Sequence, residues 1–356
     1  MNCRHFVPML GMLLAMLAWS DPAASSAVEK HPGERAFAAA VAKRHKLSES
    51  SVLATLDQAE RKQSIIDAMN RPAEAKPWPE YRALFMTPLR IAGGIAFYRA
   101  NRALLERIGK QYGVDPQYIV AILGVETNYG VRTGQYRVLD ALVTLAFHYP
   151  PRQKYFRGEL EKFLTMPDTQ LPGPRIEVMG SYAGAMGWGQ FMPTSVAAYA
   201  RDEDGDGHID LAGSLPDILA SVANYLAEHG WQRGQPVAIG VDAAADAGDV
   251  KRVRSKPLYT VGALEAKGYA PVSKVDADTK ATVLTLDGDD HGRRHWLTFN
   301  NFYVITRYNR SPLYAMAVTQ LAEAIAAGSS GPDERVSGLP GTADSAAMQQ
   351  VAGNAR

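Results

Sequence analysis

The chain has 356 residues, 46% of them hydrophobic, and a formal net charge of +1 at pH 7. A charge so close to zero argues against a nucleic-acid-binding protein, because such proteins carry an excess of Lys and Arg. The apolar content is sufficient for a core in one large domain or in two to three small ones.

The N-terminus has the layout of a signal peptide. A basic start at Arg4 and His5 precedes an apolar stretch, Phe6 to Trp19, and small residues permit cleavage after Ala27. The stretch is shorter than the roughly 20 residues that a membrane-spanning helix needs, so we expect no transmembrane anchor. Cys3, the only cysteine, precedes this stretch and is not placed to carry a lipid. We therefore expect a soluble exported protein without disulfides.

Two helical segments follow. Residues 33 to 70 are rich in alanine and helical in pattern, and prolines at 72, 77 and 79 interrupt them. From Arg90 to Phe163 the apolar residues recur with a period near 3.6, which predicts a helical bundle.

One helix of this bundle carries a carboxylate on its apolar face. Asp115 suits the N-cap, Pro116 the first helical position and Gly130 the stop. An inward stripe at i, i+3, i+4 and i+7 comprises Ile119, Ile122, Leu123 and Glu126. Burial raises the pKa of such a carboxyl group, so Glu126 is a candidate general acid. The alternative is a buried glutamate that pairs with an arginine or caps a neighbouring helix.

A glycine-rich run from Gly180 to Pro193 offers exposed amides and aromatic faces, which is typical of a site lining. We expect Trp188 to pack rather than to bind, and the glycines at 184, 187 and 189 to allow close backbone approach.

Residues 202 to 210 match the front half of a calcium loop, and the whole loop is expected to span 202 to 217. Oxygen ligands stand at positions 1, 3 and 5, glycine at position 6 and a backbone carbonyl at position 7. Position 12 is Gly213, where a glutamate is usual, so Asp217 is the nearest residue that could close the site. The expected ligands are Asp202, Asp204, Asp206, His208 and Asp217. The alternative is an acidic turn that caps the following helix.

The last third of the chain changes character. Alternating apolar residues in 282–286 and 295–299 predict a β-hairpin within a small β region, and Leu313 to Ala327 predict a final helix. Beyond Gly328 the composition predicts a disordered tail.

Several motifs in this order resemble the lytic murein transglycosylase B family. They span 125–130, 139–142, 147–150, 184–193 and 307–311. The resemblance covers residues 37 to 327. It implies a mainly α (α+β) fold: a lysozyme-like helical core with an additional α-helical region, a small β region and an EF-hand-like calcium loop. The implied division is a signal peptide (1–27), an N-terminal helical region (28–112), the catalytic core (113–231), the β region (232–300), a return to the core (301–327) and the tail (328–356).

The resemblance also implies the chemistry. Glu126 would be the sole catalytic acid and base in cleaving the β-1,4 bond between N-acetylmuramic acid and N-acetylglucosamine, with a 1,6-anhydro product. Calcium would be structural, and no organic cofactor would be needed. The implied substrate-binding residues are Ser181, Gln190, Tyr225, Tyr308, Asn309, Tyr314 and, with weaker support, Tyr81.

The implied partners are peptidoglycan glycan strands in the periplasm and, in addition, cell-wall synthesis proteins. Two alternatives stay open from the sequence. One is a muramidase that uses water, and the other is a non-catalytic peptidoglycan-binding protein.

Overall fold

The structure is a computed structural model that describes residues 30–71, 76–251, 255–288 and 292–330. The predicted signal peptide and most of the predicted tail lie outside these ranges. Within them the chain forms fourteen α-helices and seven short strands, so the predicted mainly α class is confirmed. No helix among the described residues combines the length and the apolar character needed to cross a bilayer.

The helices fall into an N-terminal group, a central group and a C-terminal pair. The N-terminal group is α1 (Glu34–His45), α2 (Glu49–Leu56), α3 (Gln63–Met69), α4 (Trp78–Ala83), α5 (Pro88–Ala100) and α6 (Arg102–Tyr112). The central group is α7 (Pro116–Thr127), α8 (Val138–His148), α9 (Gln153–Thr165), α10 (Pro193–Tyr199) and α11 (Leu215–Glu228). After the short helix α12 (Val261–Glu265), the pair α13 (Asn300–Tyr308) and α14 (Pro312–Ser329) closes the fold.

Helix α7 lies at the centre of the main core. All of its residues except Gln117 and Glu126 are buried, and α5, α6, α11 and α14 pack around it. A helix that is apolar on every side is stable only when other elements cover it completely. The sequence therefore directs α7 to the middle of the molecule and leaves Glu126 as its one partly exposed acidic side chain.

Both ends of α7 differ from the sequence prediction in detail. Asp115 is the N-cap residue, but its side chain makes no capping bond. Its carboxylate instead accepts hydrogen bonds from Trp231 Nε1 at 2.9 Å and from the Gly234 amide at 3.1 Å. The helix ends before Gly130, because Asn128 already adopts the left-handed conformation (φ 52°). Asparagine tolerates this conformation better than other non-glycine residues do, so it can end a helix.

The N-terminal helices are tied to the core by buried polar contacts. Asp140 on α8 accepts a hydrogen bond from the Glu60 amide at 2.8 Å and pairs with Arg137. The Thr144 hydroxyl on the same helix accepts one from the Lys62 amide at 3.0 Å. These contacts hold the segment before α3 against α8.

The β region is an antiparallel sheet of five strands in the order β4-β6-β7-β3-β5. The predicted hairpin is confirmed, with Val283 opposite Leu297, and residues 289–291 of its turn lie outside the described residues. The sheet has a small core of its own within residues 261–299. Its strands are β3 (Ala238–Ala243), β4 (Tyr259–Thr260), β5 (Tyr269–Pro271), β6 (Lys280–Asp287) and β7 (Arg293–Thr298), and a separate two-stranded ladder joins β1 (Tyr136–Arg137) to β2 (Met179–Gly180). The division into domains itself stays a prediction.

The predicted final helix is confirmed, but it extends further than expected. The tail was predicted to begin at Gly328, yet α14 continues to Ser329. The Gly328 carbonyl accepts a hydrogen bond from Arg99 at 2.7 Å, and the Ser329 carbonyl accepts one from Arg102 at 2.9 Å. These two arginines supply donors for the carbonyls that a helix leaves unpaired at its C-terminus, so the helix persists beyond the apolar pattern.

Candidate active site

Glu126 lies on the last turn of α7, where the helix emerges from the core. Its side chain is partly exposed, whereas both of its neighbours in the chain are buried. The hydroxyl of Tyr314 donates a hydrogen bond of 2.7 Å to Glu126 Oε1. Tyr314 stands in the first turn of α14 and is only 2% exposed. The phenol therefore holds the carboxyl group in one orientation.

Two tyrosines beside Glu126 are held neutral by their surroundings. Burial raises the pKa of Tyr314 well above its ordinary value, and the negative charge of Glu126 adds to the shift. Burial and the same charge raise the pKa of Tyr308 in the same way. Both phenols therefore remain protonated hydrogen-bond donors at neutral pH.

The end of α7 is joined to the glycine-rich run by Thr127 and Trp188. The Thr127 hydroxyl lies 3.0 Å from the Trp188 carbonyl oxygen and also accepts a hydrogen bond from the Gly130 amide at 3.1 Å. A side chain at Gly130, where φ is 86°, would meet the Trp188 indole at 2.2 Å. Trp188 therefore packs against the turn that follows Glu126, as the sequence predicted.

Two of the predicted substrate-binding residues shape the glycine-rich run. Ser181 Oγ accepts hydrogen bonds from the amides of Ala183 and Ala185, at 3.3 Å and 3.0 Å. Gln190 Nε2 donates to the carbonyl oxygens of Thr133 at 3.0 Å and Gly187 at 2.9 Å. These bonds connect the run to itself and to the loop after α7, and a role of either residue in substrate binding stays a prediction.

The predicted tyrosines on α11 and α13 form an aromatic wall. Tyr308 donates to the Gly189 carbonyl oxygen at 2.5 Å, and Tyr225 donates to the Arg307 carbonyl oxygen at 2.6 Å. Their ring centroids are 4.7 Å apart, and both rings pack against Phe191. Because Tyr225 is 7% exposed, its first role is to support Tyr308 and α13.

The last two predicted residues also make packing or turn contacts. Tyr81 on α4 is buried and packs against Phe85, with 5.1 Å between the ring centroids. Asn309 Oδ1 accepts a hydrogen bond from the Ser311 amide at 3.0 Å, which shapes the turn between α13 and α14.

The acidic loop brings three of its five predicted ligands together. Oxygen atoms of Asp202, Asp204 and Asp217 lie within 4.8 Å of one another. Asp206 Oδ1 accepts a hydrogen bond from the His208 amide at 2.7 Å. Asp217, the predicted closing residue, lies beside the two loop aspartates, and the metal-binding role of all five residues stays a prediction.

The loop is anchored on both sides. Asp217 is buried and accepts hydrogen bonds from the amides of Glu203 at 2.8 Å and Asp210 at 2.9 Å. At the other end, the Trp188 amide donates to the Leu211 carbonyl oxygen at 2.9 Å, and Trp188 Nε1 donates to the Ala212 carbonyl oxygen at 3.0 Å. Trp188 thus connects the acidic loop to the end of α7.

Residues 30–323 match the family model described as "Transglycosylase SLT domain". The chain is 40% identical over 306 residues, 83% of each chain, to "Membrane-bound lytic murein transglycosylase B" of Escherichia coli strain K12.

The chain belongs to the lytic murein transglycosylase B family.

Solved structures of relatives agree with this assignment. The Escherichia coli lytic transglycosylase Slt35 in complex with calcium has a TM-score of 0.76 and 39% identity, and the match covers 84% of this chain and 94% of that chain. SltB3 from Pseudomonas aeruginosa in complex with NAG-anhNAM-pentapeptide has a TM-score of 0.71 and 30% identity, with coverage of 83% and 79%. The lysozyme-like fold implied by the sequence is thereby confirmed.

Sequence reasoning missed the residues that hold the site together. Thr127 lies within the family motif at 125–130, to which the sequence assigns no structural role, and the packing predicted for Trp188 did not include its two carbonyl partners. The contacts of Trp188 join segments more than twenty residues apart, and periodicity carries no signal for them. Arg307 and Arg310 lie within the motif at 307–311, and the sequence predicts no role for either.

We expect Gly130→Ala to destabilise the protein more than Gly113→Ala does. Both glycines have positive φ, 86° and 66°, but a side chain at Gly113 would meet nothing within 4 Å. Alanine at a positive φ costs about 1 kcal/mol, and displacement of Trp188 would add about 2 kcal/mol. Urea unfolding of the two variants measures the difference. Equal losses of stability would show that the contact between Gly130 and Trp188 is unimportant.

Proposed function

We propose that this protein is a lytic transglycosylase that cleaves the β-1,4 bond between N-acetylmuramic acid and N-acetylglucosamine in peptidoglycan. The observation that carries the proposal is the placement of Glu126, partly exposed at the end of a buried helix and hydrogen-bonded to Tyr314. Family membership supplies the substrate class, since the relatives are named as lytic murein transglycosylases.

Glu126 acts first as an acid. Its carboxyl group protonates the glycosidic oxygen as the bond to C1 of the muramoyl sugar breaks, and the N-acetylglucosamine side leaves as an alcohol. Tyr314 keeps the carboxyl group aimed at the substrate because its hydroxyl bonds Oε1 at 2.7 Å. A fixed orientation lowers the entropic part of the barrier.

The same group then acts as a base. The Glu126 carboxylate takes the proton of the C6 hydroxyl of the muramoyl sugar, and the C6 oxygen forms a bond to C1. The product is the 1,6-anhydro sugar, and Glu126 regains the proton that it gave up. No water enters the balance. A glycosidase normally uses two carboxylates, but the acetamido group of the substrate can take the place of the second.

The alternatives differ in their products. A muramidase would add water at C1 and release a reducing end, whereas a binding protein would release nothing. The fixed carboxyl group beside two neutral tyrosines favours a catalytic site over a site that only binds.

Glu126→Gln should lower the release of anhydro-muropeptides from purified peptidoglycan by about 100-fold or more, because an amide keeps the shape but cannot transfer the proton. Mass spectrometry identifies the anhydro product as one water lighter than the hydrolysed one. Glu228→Gln, an exposed change at the end of α11, is the matched control and should keep full activity. Substantial turnover by the Glu126 variant would move the catalytic role to another residue, and a reducing-end product would identify a hydrolase.

Tyr314→Phe should lower kcat about ten-fold with little change in KM, because it removes the hydrogen bond that orients Glu126. Tyr129→Phe is the control, since it also removes one phenol hydrogen bond, which goes to the Arg90 carbonyl oxygen at 2.8 Å and not to a carboxyl group. Steady-state kinetics on soluble glycan strands separate the two parameters. If both variants lose kcat equally, the loss reflects general packing rather than the orientation of Glu126.

We further propose that calcium binds the acidic loop as a structural ion. The Asp202, Asp204 and Asp217 side chains are the residues that would hold it, and their hard oxygen atoms fit calcium. The ion would neutralise three carboxylates that repel one another. It would thereby stabilise the loop whose carbonyl oxygens accept hydrogen bonds from Trp188. The calcium complex of Slt35 supports this assignment.

Calcium should raise the melting temperature of the wild-type protein relative to a chelator, and Asp204→Ala should remove most of this increment. Asp246→Ala removes the same charge from an exposed site outside the loop and should leave the increment unchanged. Thermal unfolding with calcium and with chelator tests both variants. An increment that survives in Asp204→Ala would place the ion elsewhere, and activity lost on chelation with an unchanged melting temperature would make the metal catalytic.

The proposed location and partners follow from the same assignment. We propose export to the periplasm, where the glycan strands are, and no need for an organic cofactor. We also propose binding to cell-wall synthesis proteins, and this part of the proposal is based on the family resemblance alone.

A further inference from the structure

A cavity of about 530 Å³ lies between the β-sheet and α13. This volume falls within the roughly 300–1,000 Å³ that is typical of ligand pockets. Strands β6 and β7 form one wall, and the face of α13 with residues 303, 306 and 307 forms the other. The polar and charged part of its lining includes Thr282, Thr298, Tyr303, Thr306, Arg307 and Arg310.

The cavity is positively charged. Arg307 and Arg310 contribute two guanidinium groups, and the described residues of the lining include neither Asp nor Glu. Neither arginine forms a salt bridge with a carboxylate of the described residues. Arginine stays charged at any physiological pH, and its planar group pairs with a carboxylate through two parallel hydrogen bonds. The cavity therefore suits a ligand with carboxylate groups.

The cavity lies next to the candidate active site. Tyr308, which bonds the glycine-rich run, stands directly after Arg307, and the Arg307 carbonyl oxygen accepts the hydrogen bond of Tyr225. Pro312, the first residue of α14, lines the cavity, and Tyr314 two residues later bonds Glu126. One short segment, residues 307–314, thus contributes both to the cavity and to the contacts of Glu126.

We propose that this cavity binds the acidic stem peptide carried by the muramoyl sugar of the substrate. The proposal rests on the proposed function, because it requires a muramoyl sugar beside Glu126. The sugar rings of the glycan are largely uncharged, whereas the peptides attached to them end in carboxylates. Arg307 and Arg310 pair with these carboxylates.

The test measures binding rather than turnover. Isothermal titration calorimetry compares two ligands, NAG-anhNAM-pentapeptide and the same disaccharide without the peptide, with the lactyl carboxyl group of its muramoyl sugar capped as an amide. We expect the wild-type protein to bind the peptide-bearing ligand at least ten-fold more tightly. The Arg307→Gln/Arg310→Gln double variant should lose this advantage and still bind the peptide-free disaccharide as the wild type does. Arg233→Gln, an exposed arginine outside the cavity, is the control and should keep the advantage.

Two further arms make the result decisive. A ligand with amidated peptide carboxylates should bind the wild type no more tightly than the peptide-free disaccharide does. The single variant Arg310→Gln should lose part of the advantage. Because Arg310 lies beyond the end of α13, this variant replaces the double variant in the test if the double variant does not fold.

An equal peptide advantage in the wild type and the arginine variants, or no advantage at all, would overturn the proposal. Release of anhydro product by the same proteins is measured separately. If that release persists while the peptide advantage is absent, only the cavity proposal has failed, and if no product is released, the proposed function itself has failed.

Discussion

The burial of α7 on every side is the constraint on which the rest of this structure depends. Ten of its twelve residues are buried, and each large aliphatic side chain among them contributes about 1.5–3 kcal/mol through its burial. The surrounding helices must cover this surface, and α14, whose buried residues include the small Ala315 and Ala322, packs against it. Because α14 is held there, Tyr314 reaches Glu126. The packing requirement of the core thus determines the geometry of the candidate active site.

A second set of contacts links the acidic loop to this centre. The amide and the indole N–H of Trp188 donate hydrogen bonds to two carbonyl oxygens of the loop. The Trp188 carbonyl oxygen accepts one from the Thr127 hydroxyl. Thr127 directly follows Glu126 in the chain. Calcium in the loop could therefore affect the rate of catalysis without any contact with the substrate, because it would stabilise the loop against which Trp188 is held. Such an effect would be one of position, and the ion would take no part in the chemical steps.

The sequence predicted what depends on local pattern and missed what depends on contacts across the chain. The inward stripe of α7 located Glu126, and alternation placed β6 opposite β7, because burial on one face selects residues with a fixed period. The end of α7 was misplaced by a few residues, since Gly130 is the usual stop but Asn128 can also adopt the left-handed conformation. Asp115 was expected to cap its helix. Its carboxylate instead accepts a hydrogen bond from the indole of Trp231, more than a hundred residues away. Ser181 and Gln190 were assigned to the site by the family resemblance alone, and the hydrogen bond from Gln190 to the Thr133 carbonyl oxygen, 57 residues away, had no local signal.

The charge distribution around residues 307–314 suggests how the substrate is divided between two surfaces. Near Glu126 lie the neutral phenols of Tyr308 and Tyr314, which suit sugar hydroxyl groups and flat apolar sugar faces. An arginine beside a carboxyl group favours its ionised form, which cannot act as an acid. Arg307 and Arg310 line the cavity, and the described residues of that lining include no acidic group to compete for them. Under the proposed function, an acidic peptide would thus be recognised on a different surface from the one that transfers the proton.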